Sequence, residues 1–146
     1  MKKVVRILVA ESVPDIRDLY RVMLESVADC IDFARDIPEA LAMVEDTSYD
    51  VVFLDVGVPE LDGLDCAEIL NGLYPNLPIV VTTSIKLPIR LGAMLLAHPT
   101  NYLVSKPFDI KEMRDLVVLA CSSTSPPAEA VVASPRHSSD AFPQAI

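Results

Sequence analysis

The chain has 146 residues, enough for one domain with a buried core. Hydrophobic residues make up 51% of it, which excludes disorder over its whole length. A net charge of −9 argues against binding a phosphate backbone, and the longest cationic cluster, Lys2, Lys3 and Arg6, reads as a solvated entry to a first strand, so no nucleic-acid partner is expected.

Residues 4–10 form a short, β-branched apolar run and predict a strand buried on both faces. Pro14 suits a first helical turn, and Ile16, Leu19, Tyr20, Met23, Leu24 and Val27 recur at spacings that define one face of a helix. Residues 31–34 give a weaker strand, and residues 39–45 a helix with Ala40, Leu41 and Val44 inward. Residues 50–54 are the clearest strand. Residues 64–73 predict a helix with Cys66, Ile69, Leu70 and Leu73 on one side. A strand over 78–82, a helix over 88–97 and a strand over 102–104 follow. Residues 110–121 close the series as a helix with Ile110, Met113, Leu116, Val117 and Ala120 inward.

Five strand–helix units in alternation predict a parallel sheet covered by helices on both faces, because parallel strands need crossover connections. In such sheets the working site lies at the carboxyl ends of the strands. Residues 1–121 are therefore expected to form one domain, with no output domain after it. Residues 122–146, rich in Ser, Pro and Ala, are expected to be a flexible tail, either inert or a short docking segment. Cys30, Cys66 and Cys121 are odd in number and widely spaced, which suits free thiols in a reducing cytoplasm. His98 and His137 have no partners at motif spacing and read as surface residues. No apolar run reaches the ~18 residues a membrane span needs, and no signal peptide is evident, so a soluble, cytoplasmic protein is expected.

The chemistry collects at the strand ends. Asp55 follows the third strand and leads into a loop shaped by Pro59 and Gly63. Thr82, Thr83 and Ser84 form a hydroxyl cluster after the fourth, and Glu11 and Ser12 follow the first. Ser105-Lys106-Pro107-Phe108 follows the fifth, and a cis Lys106–Pro107 bond would aim the lysine at the other strand ends. One crevice would then hold a carboxylate nucleophile, a lysine charge, a hydroxyl and a second carboxylate. A carboxylate can accept a phosphoryl group as an acyl phosphate, and the transferring group needs cationic stabilisation.

The stretches 6–15, 51–63, 78–84 and 102–108 together resemble the receiver domains of two-component response regulators, over roughly residues 4–121. The resemblance implies a flavodoxin-like (βα)5 sheet of order 2-1-3-4-5. It implies phosphorylation of Asp55 by a histidine kinase or phosphotransfer protein, with Lys106 as the phosphate-binding cation and Thr83 as the switch hydroxyl. It also implies Mg²⁺ held by Asp55, the Gly57 carbonyl and Glu11, with signalling through protein contacts rather than enzymatic turnover.

Three features depart from that pattern. Receivers carry two adjacent acids after the first strand; here Glu11 keeps one and Ser12 replaces the other, so Ser12 is a weak ligand and Mg²⁺ is expected to bind more loosely. The aromatic switch would fall at Leu103, and Tyr102 lies one residue earlier. Either a bulge near Val104 and Ser105 returns Tyr102 to the switch face, or Tyr102 is an ordinary strand aromatic. The fourth helix has almost no polar side, which suggests either burial under neighbouring segments or a partner surface through Leu91, Met94 and Leu95, such as a homodimer face. Ser12 leaves a second reading open, a pseudo-receiver that binds partners without phosphate. A flavin- or nucleotide-binding enzyme is disfavoured, because residues 9–14 contain no glycine for a phosphate loop.

Overall fold

The protein is described as a computed structural model, which covers residues 4–56, 62–84 and 86–122. Strands and helices alternate as β1 (Arg6–Ala10), α1 (Pro14–Leu24), β2 (Cys30–Ala34), α2 (Ile37–Asp46) and β3 (Val51–Val56), then α3 (Asp62–Leu73), β4 (Ile79–Thr83), α4 (Ile89–Leu96), β5 (Asn101–Ser105) and α5 (Ile110–Ala120). The five strands form one sheet in the order β2-β1-β3-β4-β5, and every pairing is parallel. The parallel, doubly covered sheet is the one expected from the alternation, and its order is the flavodoxin-like one that the resemblance implies.

Alternate strand residues feed two cores. Leu8, Ala10, Val52, Leu54, Ile79 and Val81 pack with Ala40 and Val44 of α2, Cys66, Ala67 and Leu70 of α3, and Leu95 of α4. Ile7, Val9, Val51, Phe53, Val80, Tyr102 and Val104 pack with Tyr20, Met23 and Leu24 of α1 and Met113, Leu116 and Val117 of α5. Both faces are dry, so β1 and β3 read as unbroken apolar runs. Each side chain of this size contributes about 1.5–3 kcal/mol when fully buried.

The helix starts follow from their caps. The Asp36 carboxylate accepts from the Glu39 N–H at 2.9 Å, and the Glu39 carboxylate accepts from the Arg35 N–H at 2.6 Å. Asp109 caps α5 by accepting from the Glu112 N–H at 3.1 Å. α1 lacks a side-chain cap and begins at Pro14, whose fixed φ suits the first turn. The Arg114 guanidinium of α5 donates to the carbonyls of Met23 (2.7 Å) and Val22 (3.4 Å), tying the end of α1 to α5.

Four expected inward positions are instead exposed: Leu19, Ile69, Leu73 and Ile110. In α3 the buried stripe is Cys66, Ala67 and Leu70. At 100° per residue Ile69 lies about 110° from the centre of that stripe, and Leu73 ends the helix. Burial pushes the Cys66 thiol up to about 11, and Cys30, Cys66 and Cys121 form no disulfide with one another. No helix among the described residues is long and apolar enough to cross a membrane.

The α4 and β5 expectations also need correction. Leu95 is buried in the core, Leu91 is half-buried, and Met94 and Ile89 are the side chains turned outward. Leu95 therefore cannot belong to an outer contact surface. The β4–β5 register runs unbroken from Ile79↔Asn101 to Thr83↔Ser105, so no bulge occurs there. Tyr102 stays in the core against α1 and α5, while Leu103 faces the opposite layer. In an unbroken strand the two residues must take opposite faces, which removes Tyr102 from the expected switch position.

Candidate functional site

The sheet brings Glu11, Asp55, Thr82 and Lys106 together at its carboxyl edge. Ala10 pairs with Leu54 across β1 and β3, which sets Glu11 beside Asp55 one step further on. Asp55 pairs directly with Thr82 across β3 and β4, so the two side chains share a face. The Lys106 N–H donates to the Thr83 carbonyl at 2.8 Å, continuing the β4–β5 ladder by one residue. The Lys106–Pro107 peptide is cis.

Lys106 Nζ lies 2.7 Å from Asp55 Oδ1, and both side chains are 23% exposed. Partial burial strengthens this ion pair relative to a surface pair, yet leaves an opening to solvent. The Thr82 hydroxyl lies 3.3 Å from the same Oδ1 and 3.5 Å from the Leu54 carbonyl, and can donate to either. The Tyr20 hydroxyl lies close to the Thr82 side chain; burial pushes the Tyr20 pKa far up, with the charges of Glu11 and Asp55 adding to it. The Tyr20 ring lies 5.4 Å from the Phe53 ring in an edge arrangement and 5.4 Å from the Phe108 ring.

Glu11 is 4% exposed. Its Oε2 accepts from the Val13 N–H at 3.2 Å, whereas its Oε1 is buried with no hydrogen-bond partner among the described residues. Burial raises its pKa above the ordinary carboxyl value; Asp55 raises it further, while the Val13 N–H and Lys106 pull it back. A buried carboxylate oxygen with no donor is costly unless a proton or a cation meets it. Ser12 is exposed. Among the described residues, no cluster of three or more His, Cys, Asp or Glu side chains is placed to hold a metal.

Of the residues singled out in the sequence, Glu11, Asp55 and Lys106 meet in one crevice. Thr83 is buried one residue beyond Thr82 and, by strand alternation, belongs to the opposite face. Gly57, Pro59, His137 and nearly all of the expected tail lie outside the described residues. His98 lies at the far end of the sheet, where its Nε2 is 2.8 Å from the Pro75 carbonyl oxygen. In the sequence Thr82 stands out only within the hydroxyl cluster and Tyr20 only on a helix face, neither with a role in the site. Only the β3–β4 register, which pairs Thr82 with Asp55, chooses Thr82 over Thr83. Nothing in the helical spacing of Tyr20 separates it from an ordinary core aromatic.

The arrangement is a partly desolvated carboxylate paired with an ammonium, beside a second carboxylate that has an oxygen to spare. It suits acceptance of an anionic group by Asp55 with cationic support. Residues 7–118 match the family model described as response regulator receiver domain. Response regulator MprA of Mycobacterium tuberculosis is 36% identical over 109 residues, which is 75% of this chain and 47% of that protein. Response regulator protein PilR of Pseudomonas aeruginosa is 27% identical over 122 residues, 84% of this chain and 27% of that protein. The chain thus spans about half the length of MprA and less of PilR. The CheY-like receiver domain from Methanospirillum hungatei superposes with a TM-score of 0.72 at 18% identity, covering 82% of this chain and 94% of that one. Response regulator TrrA of Thermotoga maritima, solved in complex with Mg²⁺-BeF, gives a TM-score of 0.67 at 27% identity, covering 80% of this chain and 98% of that one. With the family model spanning both cores and all five strands, the chain belongs to the response-regulator receiver family of two-component signalling.

Proposed function

We propose that this receiver is a phosphoryl-accepting switch and that Asp55 is its acceptor. The observation that carries the reading is the 2.7 Å contact between Lys106 Nζ and Asp55 Oδ1 at the open edge of the sheet. A carboxylate oxygen of Asp55 would bond to phosphorus while the donor atom of a histidine kinase, a phosphotransfer protein or a small acyl phosphate leaves with its electron pair. Lys106 would then neutralise charge on the phosphoryl oxygens. Thr83 is proposed as the hydroxyl that answers the new group by a local shift of the β4 end.

The residues fit a divalent cation. Glu11 Oε1 is a buried acceptor without a donor, and Asp55 supplies a second anionic oxygen beside it. Mg²⁺, when bound, supplies positive charge to the transferring phosphoryl group. Glu11, Asp55 and the Gly57 carbonyl would hold it, with Ser12 a weak neutral ligand in place of a carboxylate, so binding should be looser than with a third acid. The relative solved with Mg²⁺-BeF supports the same ligand chemistry.

Output runs through protein contacts, for which the outward side chains Ile89 and Met94, with half-buried Leu91, form the proposed surface, including a homodimer face. The pseudo-receiver reading rests on Ser12 alone. Incubation with Mg²⁺ and acetyl phosphate, followed by intact mass measurement, separates the two. The switch reading expects an acid-stable, base-labile phosphoryl adduct that Asp55→Asn abolishes. No adduct from this donor or from a cognate kinase would leave the pseudo-receiver.

A further inference from the structure

We infer that Thr82, backed by Tyr20, is a positioning residue that fixes the Asp55 carboxylate for phosphoryl transfer. The inference deepens the proposed function and rests on it for the word transfer, though not for the positioning.

Thr82 is 0% exposed, in a strand whose preceding residues Ile79, Val80 and Val81 are all apolar and buried. A valine would fill the same space, so packing does not call for the hydroxyl. That hydroxyl lies 3.3 Å from Asp55 Oδ1, the oxygen that also takes the Lys106 ion pair at 2.7 Å. Two polar side chains thus converge on one carboxylate oxygen, with the Thr82 hydroxyl nearer to it than to the Leu54 carbonyl. A carboxylate held at one oxygen cannot rotate freely, and the oxygen carrying both contacts is the weaker nucleophile.

Tyr20 keeps Thr82 in its place. Its hydroxyl meets Thr82, and its ring is 1% exposed. That ring rests on Phe53, two residues before Asp55, and on Phe108, two residues after Lys106. One side chain of α1 therefore touches the strand that carries the acceptor, the hydroxyl beneath it and the turn that carries the lysine. A phosphoryl donor reaching Asp55 from solvent meets neither Thr82 nor Tyr20. Their removal should slow the chemical step without changing the affinity for the donor.

The test uses the full chain with Thr82→Val, Thr82→Ser and Tyr20→Phe. In the unphosphorylated protein, three-bond couplings about the Asp55 Cα–Cβ bond read the side-chain rotamer directly. The wild type and Thr82→Ser should show one fixed rotamer, and Thr82→Val an average. With acetyl phosphate as donor, Thr82→Val should lower the maximal rate by about tenfold at an unchanged half-saturating donor concentration. Thr82→Ser should recover most of the rate, and Tyr20→Phe should show a smaller loss in the same direction. Unchanged couplings and rate in Thr82→Val overturn the inference, as does a folded Thr82→Ser that recovers neither. Should Thr82→Val fail to fold, Tyr20→Phe with wild-type couplings and rate overturns it equally. A wild type with a fixed Asp55 rotamer that never acquires phosphate overturns the proposed function and leaves the positioning standing.

Discussion

Burial holds the Glu11 carboxyl protonated to a higher pH in the folded chain than in the unfolded one. Between the ordinary carboxyl value and that raised value, the folded state binds more protons. The contribution of Glu11 to stability is therefore fully present below the ordinary value and is lost as pH rises through the raised one. Its carboxyl keeps an unmet oxygen in the crevice it shares with Asp55. Glu11→Gln should remove the pH-dependent fall. It should also raise the melting temperature at pH 7 in metal-free buffer by about 3 °C, for about 1 kcal/mol recovered. Mg²⁺ should raise the melting temperature of the wild type and leave that of Glu11→Gln unchanged. Thermal melts from pH 4 to 7, with and without Mg²⁺, check both, and a Glu11→Gln protein that still responds to Mg²⁺ removes Glu11 from the cation site. Glu11, Asp55 and Lys106 were legible because each ends or follows a short apolar run. Thr82 was not, because it and Thr83 are equivalent until the register is known.

At the scale of elements, α4 and β5 show what composition cannot say. The α4 sequence is apolar nearly all round, yet only one side of it is core, with Leu95 inward and Ile89 and Met94 outward. The anchor is Asn101, the first residue of β5. It exchanges two hydrogen bonds with the Asn71 amide of α3 at 2.8 and 2.9 Å and donates to the Leu95 carbonyl at 2.8 Å. A buried amide with such partners fixes α3 and α4 against the sheet, and its loss strands the partners that remain. Asn101→Ala should cost about 2–3 kcal/mol, read as a lower urea midpoint with an unchanged slope. Leu95→Ala should cost about 2–4 kcal/mol. Met94→Ala, at 63% exposure, should stay within about 0.5 kcal/mol. A Met94→Ala loss as large as that of Leu95→Ala would mean that the outer face of α4 is covered by something. The Tyr102 question belongs here too. Counting back from Lys106 gives Leu103 in one layer and Tyr102 in the other, and only the unbroken β4–β5 pairing decides between a regular strand and a bulge.

For the molecule as a whole, the alternation of five strands with five helices was readable because doubly buried strands and one-sided helices leave different periodicities. The helix faces were less so: apolar residues at the ends of the α3 and α5 stripes, Leu73 and Ile110, extend beyond the layer they cover. Among the described residues, both cores draw on positions up to Cys121. α5 also closes on itself at that point. The Cys121 and Ser122 N–H groups donate to the carbonyls of Val117 and Leu119 at 3.0 and 3.2 Å, and the Ser122 hydroxyl donates to Leu119 at 2.8 Å. The last turn of α5 therefore satisfies carbonyls that a helix end would otherwise leave open, without any residue beyond Ser122. A chain ending at Ser122 should melt within about 2 °C of the full chain, because the described cores and the capped end of α5 are all retained. It should also keep its rate of adduct formation with acetyl phosphate, since Glu11, Thr82, Lys106 and Asp55 are all retained. A melting temperature lower by about 5 °C or more would show that residues 123–146 cover part of the domain, and the exposed apolar side of α4 would be the first place to look for them.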